Sequence, residues 1–298
     1  MFKSKLLALI SGINIVFLCF MVYPAVGLNN SSADEQAFSF TSYNVSFLKL
    51  PTLFSEDYWN HSISEPSIDI QNFLDTLETE VICFQEFFND YNNDDYNFIK
   101  SFEEKGYSYF FLNNPRHANG VKKGLITLTK FPIIDSGRIF LSKNRYNGMS
   151  YVDILLKSDT VRIINVHLQS MQIFFSGSNY YNSLKYAVLR WIQTVEQRHD
   201  QIEILNAFID KTPHKVIVAG DFNELPFSYN LSKMHETLHS AFSTTEWGLG
   251  NTIVNSRIPL RIDQQFYSFG IKALDHEILK NIIGSDHYPI IVHYSLGY

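Results

Sequence analysis

Residues 216–226 read Val-Ile-Val-Ala-Gly-Asp-Phe-Asn-Glu-Leu-Pro. The run from Val216 to Ala219 is β-branched, apolar and closed by Gly220, the pattern of a fully buried strand ending in a turn. Asp221 and Asn223 stand just past its end, two apart, so an extended backbone would aim both side chains the same way. A carboxylate beside a carboxamide can hold a water or a cation, the amide fixing orientation without adding charge. The same Asp-Phe-Asn also suits an Asx-type turn with no further role. This segment by itself leaves both readings open.

The pattern recurs elsewhere. Phe38 to Val45 alternates and carries Asn44; Val81 to Phe84 runs into Gln85-Glu86; Val161 to His167 brings Asn165, His167 and then Gln169. Arg261-Ile262-Asp263 lies in an Ile/Phe/Tyr-rich stretch, and Ser285-Asp286-His287 precedes a strand-like run from Pro289 to Tyr294. A lone His on an apolar run is usually a core residue. Repeated placement of Asn, Glu, His and Asp at strand ends points instead to a site built on rigid elements.

Six of these segments occur in an order that resembles the endonuclease/exonuclease/phosphatase superfamily, which includes deoxyribonuclease I-like nucleases, neutral sphingomyelinases and inositol-polyphosphate phosphatases. They are Ser42-Tyr43-Asn44, Gln85-Glu86, Asn165 to Ser170, Gly220-Asp221-Phe222-Asn223, Arg261-Ile262-Asp263 and Ser285-Asp286-His287. The stretch from Lys123 to Ile133 resembles the strand-turn segment that precedes the family's His motif, and the likeness spans roughly residues 38 to 295. One such motif is weak; six in order are a strong signal. The resemblance implies an α+β fold, a four-layer α/β/β/α sandwich of two packed β-sheets flanked by helices. It implies a metal-dependent phosphoester hydrolase, with Glu86 as the main ligand of Mg²⁺ (or Mn²⁺), supported by Asn44 and Asp286. Asp221 would align or deprotonate the attacking water, and Asn223 would orient that water or a phosphate oxygen. His287, oriented by Asp263, would contact the scissile phosphate. His167 would contact it from the other side or assist the leaving group. Where the family often has an aromatic after Arg-Ile-Asp, Gln264-Gln265 follow here, an expected change to the strand beyond Asp263. No ligand position holds an incompatible residue, which argues against a binding protein that has lost turnover.

General chemistry fits these roles. Phosphoryl transfer needs positioning and neutralisation of oxygens more than covalent catalysis. Hard oxygen ligands select Mg²⁺ or Mn²⁺, and zinc is disfavoured by the lack of a Cys/His ligand cluster.

Composition sets outer bounds. The 298 residues are 45% hydrophobic and 15% aromatic, enough for one sizeable core, and no repeat is visible. Lys3 and Lys5 precede an apolar stretch from Leu6 to Val22, and Ala25 and Gly27 give a small-x-small pattern. Residues 1–27 are therefore expected to be a signal peptide or N-terminal membrane anchor, 28–37 a flexible linker and 38–298 the catalytic domain. Export to a periplasmic or extracellular location follows, with membrane association through residues 6–22. Cys83 is the single cysteine after residue 27, so no internal disulfide can form. Net charge is −6, and loss of Lys3 and Lys5 would make it −8. No basic block is present, which leans the substrate slightly away from nucleic acid and towards a lipid or sugar phosphate ester. No protein partner is implied.

Helices are expected over Ile68 to Leu77, Tyr96 to Lys105 and Ser183 to Ile209, the last carrying Leu184, Val188, Trp191, Val195, Ile202, Leu205 and Ile209 at helical spacing. Arg198 and Gln201 on it resemble family positions but read as solvated or packing groups. Asn89 to Asn97 is expected to be a loop near the metal, and the aromatic stretch 171–181 to pack on the long helix.

Overall fold

A computed structural model describes residues 37–48, 68–113, 120–143, 146–170, 180–254, 256, 259–282 and 284–297. The expected leader, most of the linker and the aromatic stretch 171–179 lie outside them. Among the described residues no helix is long and apolar enough to cross a membrane.

The chain runs β1 (Phe38–Asn44), α1 (Ile68–Thr76), β2 (Val81–Asp90), α2 (Phe98–Glu104), β3 (Ser108–Asn113), β4 (Val121–Thr129), β5 (Ile133–Leu141), β6 (Gly148–Leu156) and β7 (Asp159–His167). Then come α3 (Tyr180–Ile209), β8 (Lys215–Asp221), α4 (Tyr229–Met234), β9 (His239–Ser240), α5 (Ala241–Thr245), β10 (Asp263–Tyr267), β11 (Ile271–Ala273), β12 (Glu277–Ile278) and β13 (Ile290–Leu296). One sheet has the order β11-β13-β1-β2-β4-β3, with β12 also on β13; the other has the order β5-β6-β7-β8-β10-β9.

Side-chain alternation explains the layering. Phe38 and Phe40, Val81 and Cys83, Val161 and Ile163, and Ile217 and Ala219 face inward and fill the space between the sheets. On the outer face of the first sheet, Ile82, Phe84, Ile126 and Leu128 receive Ile70, Phe73 and Leu74 of α1 and Ile99 and Phe102 of α2. Ile164, Val166, Val216 and Val218 of the second sheet receive Ile202, Leu205 and Ile209 of α3 and Leu231 and Met234 of α4. The result is the expected four-layer sandwich. Emptying one inner position, such as Ile163→Ala, removes packing worth about 2–5 kcal/mol. Cys83 is a buried free thiol within this core.

Each sheet has one parallel pair, β1 with β2 and β7 with β8, and antiparallel pairing elsewhere. The parallel strands therefore deliver their carboxyl ends to one edge of the sandwich, where the antiparallel β10 and β13 begin. Two sequence expectations fail here. Strand β2 continues through Asn89 and Asp90, so the loop starts only at Tyr91. Gln264 and Gln265 leave β10 regular, paired with Gly220 and Ala219 of β8. Gln265 is accommodated because its amide donates to the Ile290 carbonyl and accepts from the Tyr294 hydroxyl across the interior.

Candidate active site

The inward faces change character at one height. Below it they are apolar; above it come Ser42 and Asn44 on β1, Gln85 on β2, Asn165 and His167 on β7, Asp221 on β8 and Asp263 on β10, all buried. Gln85 and Asn165 lock the sheets together at this boundary. The Gln85 amide donates to Asn165 Oδ1 at 2.8 Å, and the Asn165 amide donates to the carbonyls of Phe84 and Ile126. Buried amides are tolerated because they find such partners.

Two residues reach the site only by leaving regular strand geometry. Alternation would send Glu86 outward with Ile82 and Phe84. A bulge between Phe84 and Phe87, with Glu86 at φ 50°, turns its carboxylate to the site instead. Asn223 also sits at φ 50°, its backbone N–H donating to Asp221 Oδ1 at 2.8 Å. The Asx-type turn is thus real, and Asn223 does not share a strand face with Asp221. Its amide donates to the Leu168 carbonyl at 3.2 Å. Left-handed backbone at non-glycine residues costs on the order of 1–3 kcal/mol each and is concentrated at functional sites. Ahead of Asp221, Gly220 lies at φ 143°, where a Cβ would meet the Val166 carbonyl oxygen at 2.0 Å. Only glycine lets β7 and β8 approach that closely.

Asp221 is the hub. Its Oδ2 accepts from the Asn44 amide at 3.1 Å and lies 3.7 Å from His167 Nε2 and 3.8 Å from His287 Nε2. His287 Nδ1 meets Asp263 Oδ2 at 2.8 Å. Glu86 Oε1 is 3.6 Å from His167 Nε2. Asp286 joins through its charge, which acts on Glu86 and His287. Ser285 ties this end down, its hydroxyl donating to the Asn44 carbonyl at 2.7 Å. The eight candidate residues, from five strands and two loops, thus surround one small volume.

The charges are unevenly held. Burial opposes charge on the His287 imidazole, but Asp263, Asp286 and Asp221 outweigh it and raise its pKa well above the usual value. Burial raises the Asp263 carboxyl as well, yet with three acidic groups around the ring the proton belongs on His287. Burial also lowers the pKa of His167, against the pull of Asp221. Burial and the Asp286 carboxylate push Glu86 up to about 8, with Asp221 adding to them and His287 and the Asn44 amide opposing. Its side chain is 20% exposed.

Asp221, Asp263 and His287 offer ligand atoms all within 4.8 Å of one another, so a carboxylate–imidazole group able to hold a metal ion is present. Its imidazole already spends Nδ1 on Asp263, which leaves a poor ligand set. Asn44, Glu86 and Asp286 are all oxygen donors, and the excess negative charge that raises Glu86 is what a hard dication would relieve. The Asn44 carboxamide oxygen uses one lone pair on the Ser46 N–H and keeps the other.

Several features escaped sequence reasoning. The His167 orienter is the backbone carbonyl of Tyr146, 3.2 Å from Nδ1, which no side-chain motif could announce. Thr252 hydrogen-bonds Asp263, whose backbone N–H it also accepts. Arg198 and Gln201 are buried rather than solvated and bond to the loops behind the site. One spacing also ran against the expectation that zinc ligands are lacking: His235-Glu236-Thr237-Leu238-His239 has the His-x-x-x-His interval of helical zinc sites. Helix α4 ends at Met234, so the two rings share no helix face. His235 instead packs on Phe266 and His239 on Tyr267.

Comparison with known proteins agrees with this geometry. The sequence profile of the endonuclease/exonuclease/phosphatase family matches residues 41–287, and the chain belongs to that family. No curated protein sequence matches significantly. Among solved structures, an endonuclease/exonuclease/phosphatase from Beutenbergia cavernae is 15% identical, with 88% of this chain and 72% of that one covered at a TM-score of 0.62. The human Nocturnin catalytic domain with bound sulfate is 15% identical, with coverage of 90% and 97% and a TM-score of 0.59. ANGEL2, a 2′,3′-cyclic phosphatase in complex with adenosine-2′,3′-vanadate, is 15% identical, with coverage of 92% and 100% and a TM-score of 0.56. At such identity the likeness speaks for the fold.

Proposed function

We propose that this member of the endonuclease/exonuclease/phosphatase family is an exported, Mg²⁺- or Mn²⁺-dependent hydrolase that cleaves a phosphoester by in-line attack of water on phosphorus. The observation that carries this reading is the convergence of Asn44, His167 and His287 on one oxygen of Asp221. Asp221 accepts a proton from the attacking water or aligns it, and the Asn223 amide helps orient it. His287, kept protonated by Asp263, donates from Nε2 to a phosphate oxygen as negative charge grows there. His167 is neutral, and because a carbonyl can only accept, its proton sits on Nδ1. Its Nε2 lone pair therefore faces the site, where it can take over the water's proton from Asp221, 3.7 Å away, and return it to the leaving oxygen on the other side of the phosphate. A divalent cation held by Asn44, Glu86 and Asp286 would neutralise phosphate oxygens.

The acidic net charge supports a lipid or sugar phosphate ester over a polynucleotide. The apolar N-terminal stretch supports export and tethering near a membrane. A panel of plasmid DNA, sphingomyelin vesicles, inositol phosphates and a chromogenic diester, each with Mg²⁺, Mn²⁺ or EDTA, tests both points. Cation-dependent release from a small ester or lipid supports the proposal. Nicking of plasmid with strongly salt-dependent affinity would move the substrate to nucleic acid. Failure on every ester with either cation would refute the catalytic reading.

A further inference from the structure

Behind the site lies a polar cluster that takes no part in the chemistry just described. Arg198, wholly buried on α3, donates from Nε to Glu224 Oε1 at 2.7 Å and from Nη1 to the Gln169 carbonyl at 3.1 Å and the Thr194 hydroxyl at 2.8 Å. Glu224, equally buried, also accepts from the Asn230 amide at 2.9 Å. Gln201, one turn along α3, accepts the Gln169 N–H at 2.9 Å. Gln169 is two residues past His167, and Glu224 is the residue after Asn223. One guanidinium therefore grips both loops that leave the parallel pair β7 and β8.

A buried ion pair of this kind is a costly way to hold a fold, since apolar residues of similar volume often do so as well or better. Its value lies in direction: a planar guanidinium with a carboxylate fixes geometry that apolar contacts leave loose. The loops so fixed meet in front of it, where the Asn223 amide donates to the Leu168 carbonyl and the Leu168 N–H donates to the Asp221 carbonyl at 2.9 Å.

We propose that Arg198 is a positioning residue, which with Glu224 sets the separation between His167 on one loop and Asp221 and Asn223 on the other. The proposal rests on the phosphoester-hydrolase reading and adds a residue to it. Touching no substrate, the pair acts on the rate of the bound complex and leaves affinity alone.

The test uses the full chain, with kcat and KM measured on the best ester of the panel at a temperature where circular dichroism shows each variant folded. Arg198→Lys and Glu224→Gln are expected to lower kcat by on the order of 10–100-fold, the range for outer residues that orient ligands, with KM within about threefold. Arg198→Met/Glu224→Leu removes both charges together and guards against the instability of a single unpaired one. It should fold and still be slow. The control is Arg162→Met, which breaks the bidentate Arg162–Asp153 pair at 2.6 and 2.7 Å. That pair sits further down β6 and β7 and should leave kcat unchanged. Folded pair variants with wild-type kcat would overturn the proposal, as would an apolar double variant that cannot fold, since the pair would then be scaffold. A wild-type chain inactive on every ester would instead overturn the functional reading beneath it.

Discussion

Two histidines approach the same oxygen of Asp221, and they are held in opposite states. His287 rests on a carboxylate, with Nδ1 2.8 Å from Asp263, and its pKa is drawn up. His167 rests on a peptide carbonyl, with Nδ1 3.2 Å from Tyr146, and burial draws its pKa down. Distance to Asp221 does not separate them, at 3.8 and 3.7 Å. The partner at the far nitrogen does. One site thereby holds a charged donor and a neutral acceptor at the same pH, the division of labour that general acid–base chemistry needs.

The most damaging way to break this asymmetry is Asp263→Asn, which keeps the shape but removes the charge that holds the proton on His287. By analogy with loss of the orienting carboxylate in a Ser-His-Asp triad, kcat should fall by roughly 10³–10⁴-fold. The alkaline limb of kcat/KM, expected above pH 6.5 in the wild type because His287 is raised, should also move to lower pH. A loss under tenfold with an unmoved limb would show that the two histidines are not differentiated by Asp263. Next in size, Glu86→Gln removes the carboxylate proposed as the main cation ligand. It should cost at least about a hundredfold in rate and raise the Mg²⁺ concentration needed for half-maximal activity; an unchanged metal titration would remove Glu86 from the ligand set. His167→Gln should cost less than Asp263→Asn, on the order of 10²-fold, and leave the alkaline limb in place. If the limb moves, the acid and base have been assigned to the wrong rings.

The smallest effect sharpens the comparison outside the site. His276 is buried, with Nδ1 lacking a hydrogen-bond partner, and burial together with the Arg261 charge pushes its pKa down to about 3. Its folded pKa lies below the unfolded value near 6.5. The unfolded chain therefore binds the proton first, and stability present above pH 6.5 is lost as pH falls towards 3, by at most about 1.4 kcal/mol per unit. Denaturation midpoints of His276→Leu against wild type, followed from pH 7.5 to 4.5, should show a shallower acid loss in the variant. Equal slopes would mean that burial without a carboxylate does not keep a histidine neutral here.

Much of the fold was readable in the chain because each strand advertises itself locally. Phe38 to Asn44, Val161 to His167 and Val216 to Asp221 alternate or run apolar and then turn polar, and the structure ends those strands at Asn44, His167 and Asp221. The long helix was legible from its apolar series, of which Ile202, Leu205 and Ile209 are buried. Hidden from that reading were the contacts that depend on backbone conformation. Alternation assigns Glu86 to the wrong face and Asn223 to a shared face with Asp221, because one bulge and two left-handed residues cannot be deduced from spacing. Arg198 looked like a helix-surface charge because its carboxylate lies 26 residues away and on the far side of β8.

By itself the sequence determined the periodicity of the strands, the polar types at their ends and the order in which they follow, because these are local properties of side chains and backbone. Only the tertiary structure decided which histidine is charged, which carboxylate is crowded and which loops are clamped together. Protonation and metal affinity depend on the field of neighbours brought from distant parts of the chain; Asn44 meets Asp221 across 177 residues. Such a field exists only once the two sheets have packed and excluded water.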